Sequence, residues 1–166
     1  MQKGQLVAYC LLFSSAFIGC EPPPAKAPNP TRTLDERRAI EVIRNAVAAE
    51  GARPAAARDE KLTNKDKSIR IDVSVEGRKY GIVYVSDDDK NALGDAIPAP
   101  NAKGEPFKIV RAGDDGSIVI VLLYQTNYRY DDEVGAGHEQ TVITAENELT
   151  RDARYAVVGA QTRKWE

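Results

Sequence analysis

The run Ser117-Ile118-Val119-Ile120-Val121-Leu122-Leu123-Tyr124 constrains this chain more than any other stretch. A strand sends successive side chains to opposite faces, so a run that is apolar at both parities has two faces to bury. It belongs at the centre of a sheet. Tyr80-Gly81-Ile82-Val83-Tyr84-Val85 has the same character. Ile69-Arg70-Ile71-Asp72-Val73-Ser74-Val75 differs: apolar and polar residues alternate without a fault, the pattern of one half-buried strand. Glu76-Gly77 turns the chain between the last two runs, which predicts a hairpin. Phe107-Lys108-Ile109-Val110-Arg111 precedes the opening run across Gly113-Asp114-Asp115-Gly116, and Asp-Gly between apolar runs signals a second hairpin.

Helices are expected around these strands. Thr33-Leu34-Asp35-Glu36 reads as a capping box, Ile40, Ile43 and Val47 follow at helical spacing, and Gly51 stands ready to end the helix. The spacing predicts a helix over 34–50, then a charged loop from 52 to 68. Ser86-Asp87-Asp88-Asp89 reads as a second capping box, with Gly94 ending a short helix. Asp87, Asp89 and Asn91 also have the first spacings of a calcium loop. Ala92 then stands where the turn glycine belongs and Pro98 where the bidentate glutamate belongs, so capping is the better account. Residues 144–158 admit a helix capped by Thr144 and ended by Gly159, or a last strand over 155–158; the helix is preferred. The order α-β-β-α-β-β-α predicts an α+β fold over 33–166. The simplest version is a four-stranded, mainly antiparallel sheet with two or three helices on one face.

Few residues offer chemistry. The only cysteines are Cys10 and Cys20 and the only histidine is His138. A zinc site would have to combine His138 with carboxylates, a poor set, so no metal or cofactor is expected. In period two, Tyr124, Thr126, Tyr128 and Tyr130 extend the face of Ile118, Ile120 and Leu122. Such a row of rings could stack a sugar or a partner's proline, but more commonly it forms the wet rim of a core. His138 follows Asp131, Asp132 and Glu133 in a glycine-bearing loop that closes with Glu139, where it could act as a general base oriented by Asp131 or Asp132. No nucleophile elbow, Ser-x-x-Lys, His-Glu-x-x-His or phosphate-binding glycine loop accompanies it.

The N-terminus carries an address. Lys3 precedes an apolar run of 13 residues, Leu6 to Ile18. That length suits a signal peptide and falls short of the roughly 20 residues that span a bilayer. Phe17-Ile18-Gly19-Cys20 closes the run and resembles the lipobox of bacterial lipoprotein precursors. The resemblance covers residues 1–20. It implies cleavage between Gly19 and Cys20 and a diacylglyceryl group on the Cys20 sulfur. Phe17 departs from the usual leucine, and Ile18 from the commoner small residues. Residues 1–19 would then be the signal peptide. Residues 20–32 would be the lipidated cysteine and a tether rich in proline, since 21–30 hold five of the nine prolines. Polyproline-like chain of that length reaches roughly 30 Å.

Loss of Lys3 with the signal leaves 22 basic against 25 acidic side chains, a net −3. That balance argues against a nucleic-acid partner, which needs a basic face. With Cys10 removed and Cys20 acylated, no thiol remains for a disulfide, a metal or a nucleophile. The expected protein is exported and lipid-anchored to a bacterial membrane, on the periplasmic side or at the cell surface. It would act as a non-catalytic binding or adaptor module for another envelope protein or a glycan. Its contacts would be an exposed sheet face, the tyrosines or the 131–139 loop. The alternative is a hydrolase of an envelope polymer that uses His138 with carboxylates of that loop. Trp165, in a polar tail, is expected to dock on the body.

Overall fold

The computed structural model describes Ala27, residues 29–100, 105–133, Gly135 and 137–165. In chain order its elements are strand β1 (Arg32–Thr33), helix α1 (Glu36–Ala49), and strands β2 (Pro54–Ala55), β3 (Arg58–Lys61), β4 (Ser68–Ile71), β5 (Val73–Val75) and β6 (Tyr80–Val85). Helix α2 (Asp87–Leu93), strands β7 (Lys108–Ala112), β8 (Ile118–Tyr124) and β9 (Arg129–Tyr130), and helix α3 (Val142–Thr162) follow. The architecture is α+β. The expected signal segment, Gly19, Cys20 and most of the expected tether lie outside the described residues.

The two runs that are apolar at both parities pair with each other. β6 and β8 lie side by side and parallel, Tyr80 opposite Val119 through Val85 opposite Tyr124. They form the middle of a five-stranded sheet ordered β2-β5-β6-β8-β7, in which every other pairing is antiparallel. The expected four-stranded, mainly antiparallel sheet is therefore corrected: it is mixed, and its central pair is parallel. Both hairpins form, β5 with β6 and β7 with β8. They join through their second strands, so β8 inserts between β6 and β7.

Each face of the sheet builds its own core. Ile82, Tyr84, Val119, Val121 and Leu123 meet Ile43, Val47, Leu149, Ala153 and Val157 of α1 and α3. On the other face Val83, Val85, Ile120, Leu122 and Tyr124 meet Ile69, Ile71, Leu93 and Ile97. Burying one such aliphatic side chain contributes about 1.5–3 kcal/mol, so neither face could be left to water. The long helices do share one face, but α2 covers the other, together with the β3–β4 pair. Among the described residues both faces of the central strands β6 and β8 are covered.

Three local predictions shift. Residues 69–75 are not one strand. β4 pairs with β3, β5 pairs with β6 and β2, and Asp72 marks the change. Ile69 and Ile71 face one core, Val73 and Val75 the other. The stretch expected as a loop over 52–68 holds β2 and β3. β3 is Arg-Asp-Glu-Lys, with no apolar residue to betray it, and Pro54 is tolerated because β2 lies at the sheet edge. Helix α1 is capped by Asp35, whose side chain accepts from Arg38 N–H, while Thr33 belongs to β1. Ser86 and Asp89 form the capping box of α2. Residues 144–158 are helical, inside a longer α3 that starts after Thr141 and runs through Gly159.

Helix α3 lies against α1, clamped by a two-pronged pair. Arg38 Nε reaches Glu146 Oε1 at 2.8 Å and Arg38 Nη2 reaches Glu146 Oε2 at 3.1 Å. Arg154 meets Glu50 further along the same seam. Among the described residues no helix is long and apolar enough to cross a membrane.

Candidate functional site

The 131–139 loop is built from the end of β9 and the approach to α3; Val134 and Ala136 lie outside the described residues. Here the structure brings His138 and Asp131 together. His138 Nδ1 lies 3.0 Å from Asp131 Oδ2, and the histidine side chain is only 4% exposed. Asp131 also accepts from Glu133 N–H at 3.0 Å and from Asn29 N–H at 3.2 Å. These donors favour the charged form, so His138 first, and then the two N–H groups, hold the Asp131 carboxyl below its ordinary range. Its backbone is tied as well, Asp131 N–H donating to Gln140 O at 3.0 Å.

Asn29 matters most in this set. It belongs to the segment that precedes β1. β1 follows it and pairs with β9, Arg32 opposite Tyr130. Arg32 also reaches Asp132 at 2.8 Å. The histidine–aspartate pair therefore sits where the segment before α1 joins the body. A general base with an orienting carboxylate has the same two-residue geometry, but a base also needs access to a substrate proton.

The tyrosine row does not form on one face. β8 ends at Tyr124 and a 3-10 turn over Gln125–Asn127 breaks the period-two alternation. Tyr124 stays with Ile120 and Leu122, is 1% exposed, and donates its hydroxyl to Pro98 O; burial pushes that hydroxyl up to about 12. Tyr128 crosses to the opposite core. Its ring stacks on Tyr84 with centroids 6.3 Å apart, and its hydroxyl donates to Asp152 Oδ2 at 3.1 Å. Burial first, and the nearby Asp152 charge second, push the Tyr128 hydroxyl far up. Tyr130, half-buried beside β1, retains a partly open ring. Tyr124 and Tyr128 are thus core residues with satisfied hydroxyls, not a platform.

Clefts lie elsewhere. One of about 300 Å³ runs between residues 61–66 and Gly113-Asp114. One of about 260 Å³ is bordered by Glu36, Asp59, Asp72 and Asp89. One of about 290 Å³ opens at the C-terminal end of α3, beside Tyr80 and Trp165. His138 lines none of these three. Among the described residues, no three His, Cys, Asp or Glu side chains gather as a metal ion would require. Trp165 does dock, edge to face on Tyr80. Arg163 and Lys164 directly precede it in the chain, while Arg53 and Arg78 line the same cleft from turns whose proximity no local sequence pattern reveals.

No protein-family model, curated protein or solved structure matches the chain.

Proposed function

We propose that the chain is a bacterial envelope lipoprotein. Residues 1–19 export it, lipid on Cys20 holds it at a membrane, and the α+β body is a non-catalytic binding or adaptor module for another envelope protein or a glycan. The observation that carries this reading is the use to which the sole histidine is put. His138 and Asp131 are buried together, and Asp131 also accepts from Asn29 N–H, where the N-terminal segment meets the body. A residue pair so placed transmits the position of the anchor to the body. The same pair favours one second reading, a hydrolase with His138 as base and Asp131 as orienter, because the 3.0 Å contact suits that role.

Metabolic labelling with palmitate tests the first reading. The wild-type chain is expected to take up label and to partition with membranes. Cys20→Ala is expected to lose the label and to keep its signal segment uncleaved. A wild-type chain that stays unlabelled in the soluble fraction overturns the anchor. Envelope-polymer cleavage by the wild type that His138→Ala abolishes, without a fall in melting temperature, would replace the module with the hydrolase.

A further inference from the structure

The cleft at the end of α3 is where the partly open Trp165 ring and several cations converge, with the buried Tyr80 behind them. Tyr80 and Trp165 meet there with centroids 6.2 Å apart and planes at 68°. Among the described residues, Arg53, Arg78 and Lys164 line the cleft together with Glu76. Glu76 stands 3.7 Å from Arg53, with both side chains well exposed. A surface pair of that kind contributes little and gives way easily to a better anion. The Arg163 guanidinium lies 5.7 Å from the centre of the Trp165 ring, within cation–π range, which orients the indole. The chain as a whole carries more acidic than basic side chains, 25 against 23, so this cationic lining is a local departure.

The backbone supplies an independent observation. Helix α3 ends in a Schellman motif: Lys164 N–H donates to Gln161 O at 3.3 Å and Trp165 N–H to Ala160 O at 3.1 Å. The left-handed position in that motif belongs to Lys164, with φ 51°. Glycine is the ordinary choice there, and α1 uses it at its own end, where Gly51 has φ 76°. A lysine in the left-handed region costs conformational energy, and it adds an ammonium group to the cleft.

We propose that this cleft binds a small sugar bearing a carboxylate. The proposal names the ligand of the binding module and rests on that reading for the choice of a glycan. At about 290 Å³ the cleft is at the small end of ligand pockets, room for about one ring with its substituents. The C–H face of a pyranose packs on aromatic surface, while its hydroxyls meet donors at the wet edge. The carboxylate takes the Arg53 guanidinium, which matches it in two-pronged geometry, with the Lys164 ammonium lining the same cleft. An extended peptide fits less well. The strand bordering the cleft, β5, already pairs on both sides, with β2 and β6, so it offers no free edge to a peptide backbone.

Trp165 is the only tryptophan in the chain, so its fluorescence reports directly on the cleft. The full-length chain, purified in detergent, is titrated with glucuronic acid and N-acetylmuramic acid. Glucose and N-acetylglucosamine serve as neutral matches, acetate and inorganic phosphate as anions without a carboxylated ring, and a short acidic peptide as the competing class. Saturable change is expected with the acidic sugars, at affinities about tenfold above those of the neutral sugars, which lose the charge-assisted hydrogen bond, and of acetate, which keeps the carboxylate but loses the packing of the ring. Arg53→Ala and Lys164→Gly are each expected to weaken binding several-fold, with the melting temperature of Lys164→Gly unchanged or higher. Equal response to neutral sugars, to phosphate or to the peptide overturns the proposal. So does the absence of saturation, or unaltered affinity in both variants. Palmitate labelling reads the anchor and this titration reads the cleft, so either can fail alone.

Discussion

At the scale of single residues, Asp72 and Gly81 decide how the sheet is assembled. Asp72 stands where β4 leaves β5, and its Oδ2 accepts from Tyr84 N–H at 2.8 Å, a side chain in the place of a missing strand partner. Burial outweighs that bond and pushes the Asp72 carboxyl from 3.8 up to about 6. The folded state therefore holds a proton that the unfolded state has released. Stability should fall as pH rises from about 4 to about 6, and the penalty should persist above that. Asp72→Asn keeps an acceptor for Tyr84 and has no charge to bury. Urea unfolding at pH 7.5 should find the variant more stable than wild type by about 1–2 kcal/mol, a gain that vanishes near pH 3.5. Equal stability at both pH values would mean that the ionised carboxylate repays its own burial. Gly81 has a different task. A Cβ there would sit 2.4 Å from Ile71 Cγ2 and 3.1 Å from Val73 O, because β4 folds back across this position. Gly81→Ala should cost about 1–3 kcal/mol in the same urea assay; a neutral result would show that β4 can lift away. Neither role was legible beforehand. Asp72 occupies a polar position in a faultless alternation, and such a position reads as solvent-facing until the strand is known to switch sides.

At the scale of elements, periodicity served well wherever one element kept one environment. The two-faced runs became the central strands, the cap at Ser86 formed, and the helical spacing after residue 149 was real. It failed where an element changed environment part-way. The break at Gln125–Asn127 carries Tyr128 from one core to the other, which no count of alternate residues can foresee. It failed again at β3, a strand whose four residues are all charged and which pairs only with β4. One inference was available and points the right way: strands apolar on both faces require cover on both, so helices on a single face could not suffice. Tyr128 tests the element that crosses. Its hydroxyl is the buried donor that faces Asp152 on α3, and Asp152 Oδ1 is also met by Arg151 Nε at 2.9 Å. Tyr128→Phe leaves the ring stacked on Tyr84 but strips a donor from a buried carboxylate. Thermal or urea unfolding should register a loss of about 1–3 kcal/mol. A variant as stable as wild type would place water, or the arginine alone, at that carboxylate.

At the scale of the whole molecule, the segment before α1 is fixed to the body well ahead of the first helix. A flexible spacer joined to a mobile terminus would leave the body free to turn in any direction. Here the chain is seized at once, by Asn29 on Asp131, then by β1 on β9, then by Arg32 on Asp132, before α1 begins. The His138 contact lies beneath these three and holds Asp131 in its charged state. Of this site, the sequence reveals the residues, since one histidine among carboxylates is conspicuous. It does not reveal their object, because the segment they grip is about a hundred residues away in the chain. Asp131→Ala should therefore loosen the N-terminal segment while leaving both sheet cores untouched. Limited trypsin digestion followed by mass spectrometry should find cleavage after Arg32 several-fold faster than in wild type, since local opening there is no longer opposed. The main unfolding transition should barely move. Because the Asp131 carboxyl is held below its usual range, the latch stays charged as pH falls past 3.8 and is lost only in stronger acid. Cleavage after Arg32 at an unchanged rate would mean that the strand pair alone holds the junction. A collapse of the main transition would instead make Asp131 part of what holds the fold together.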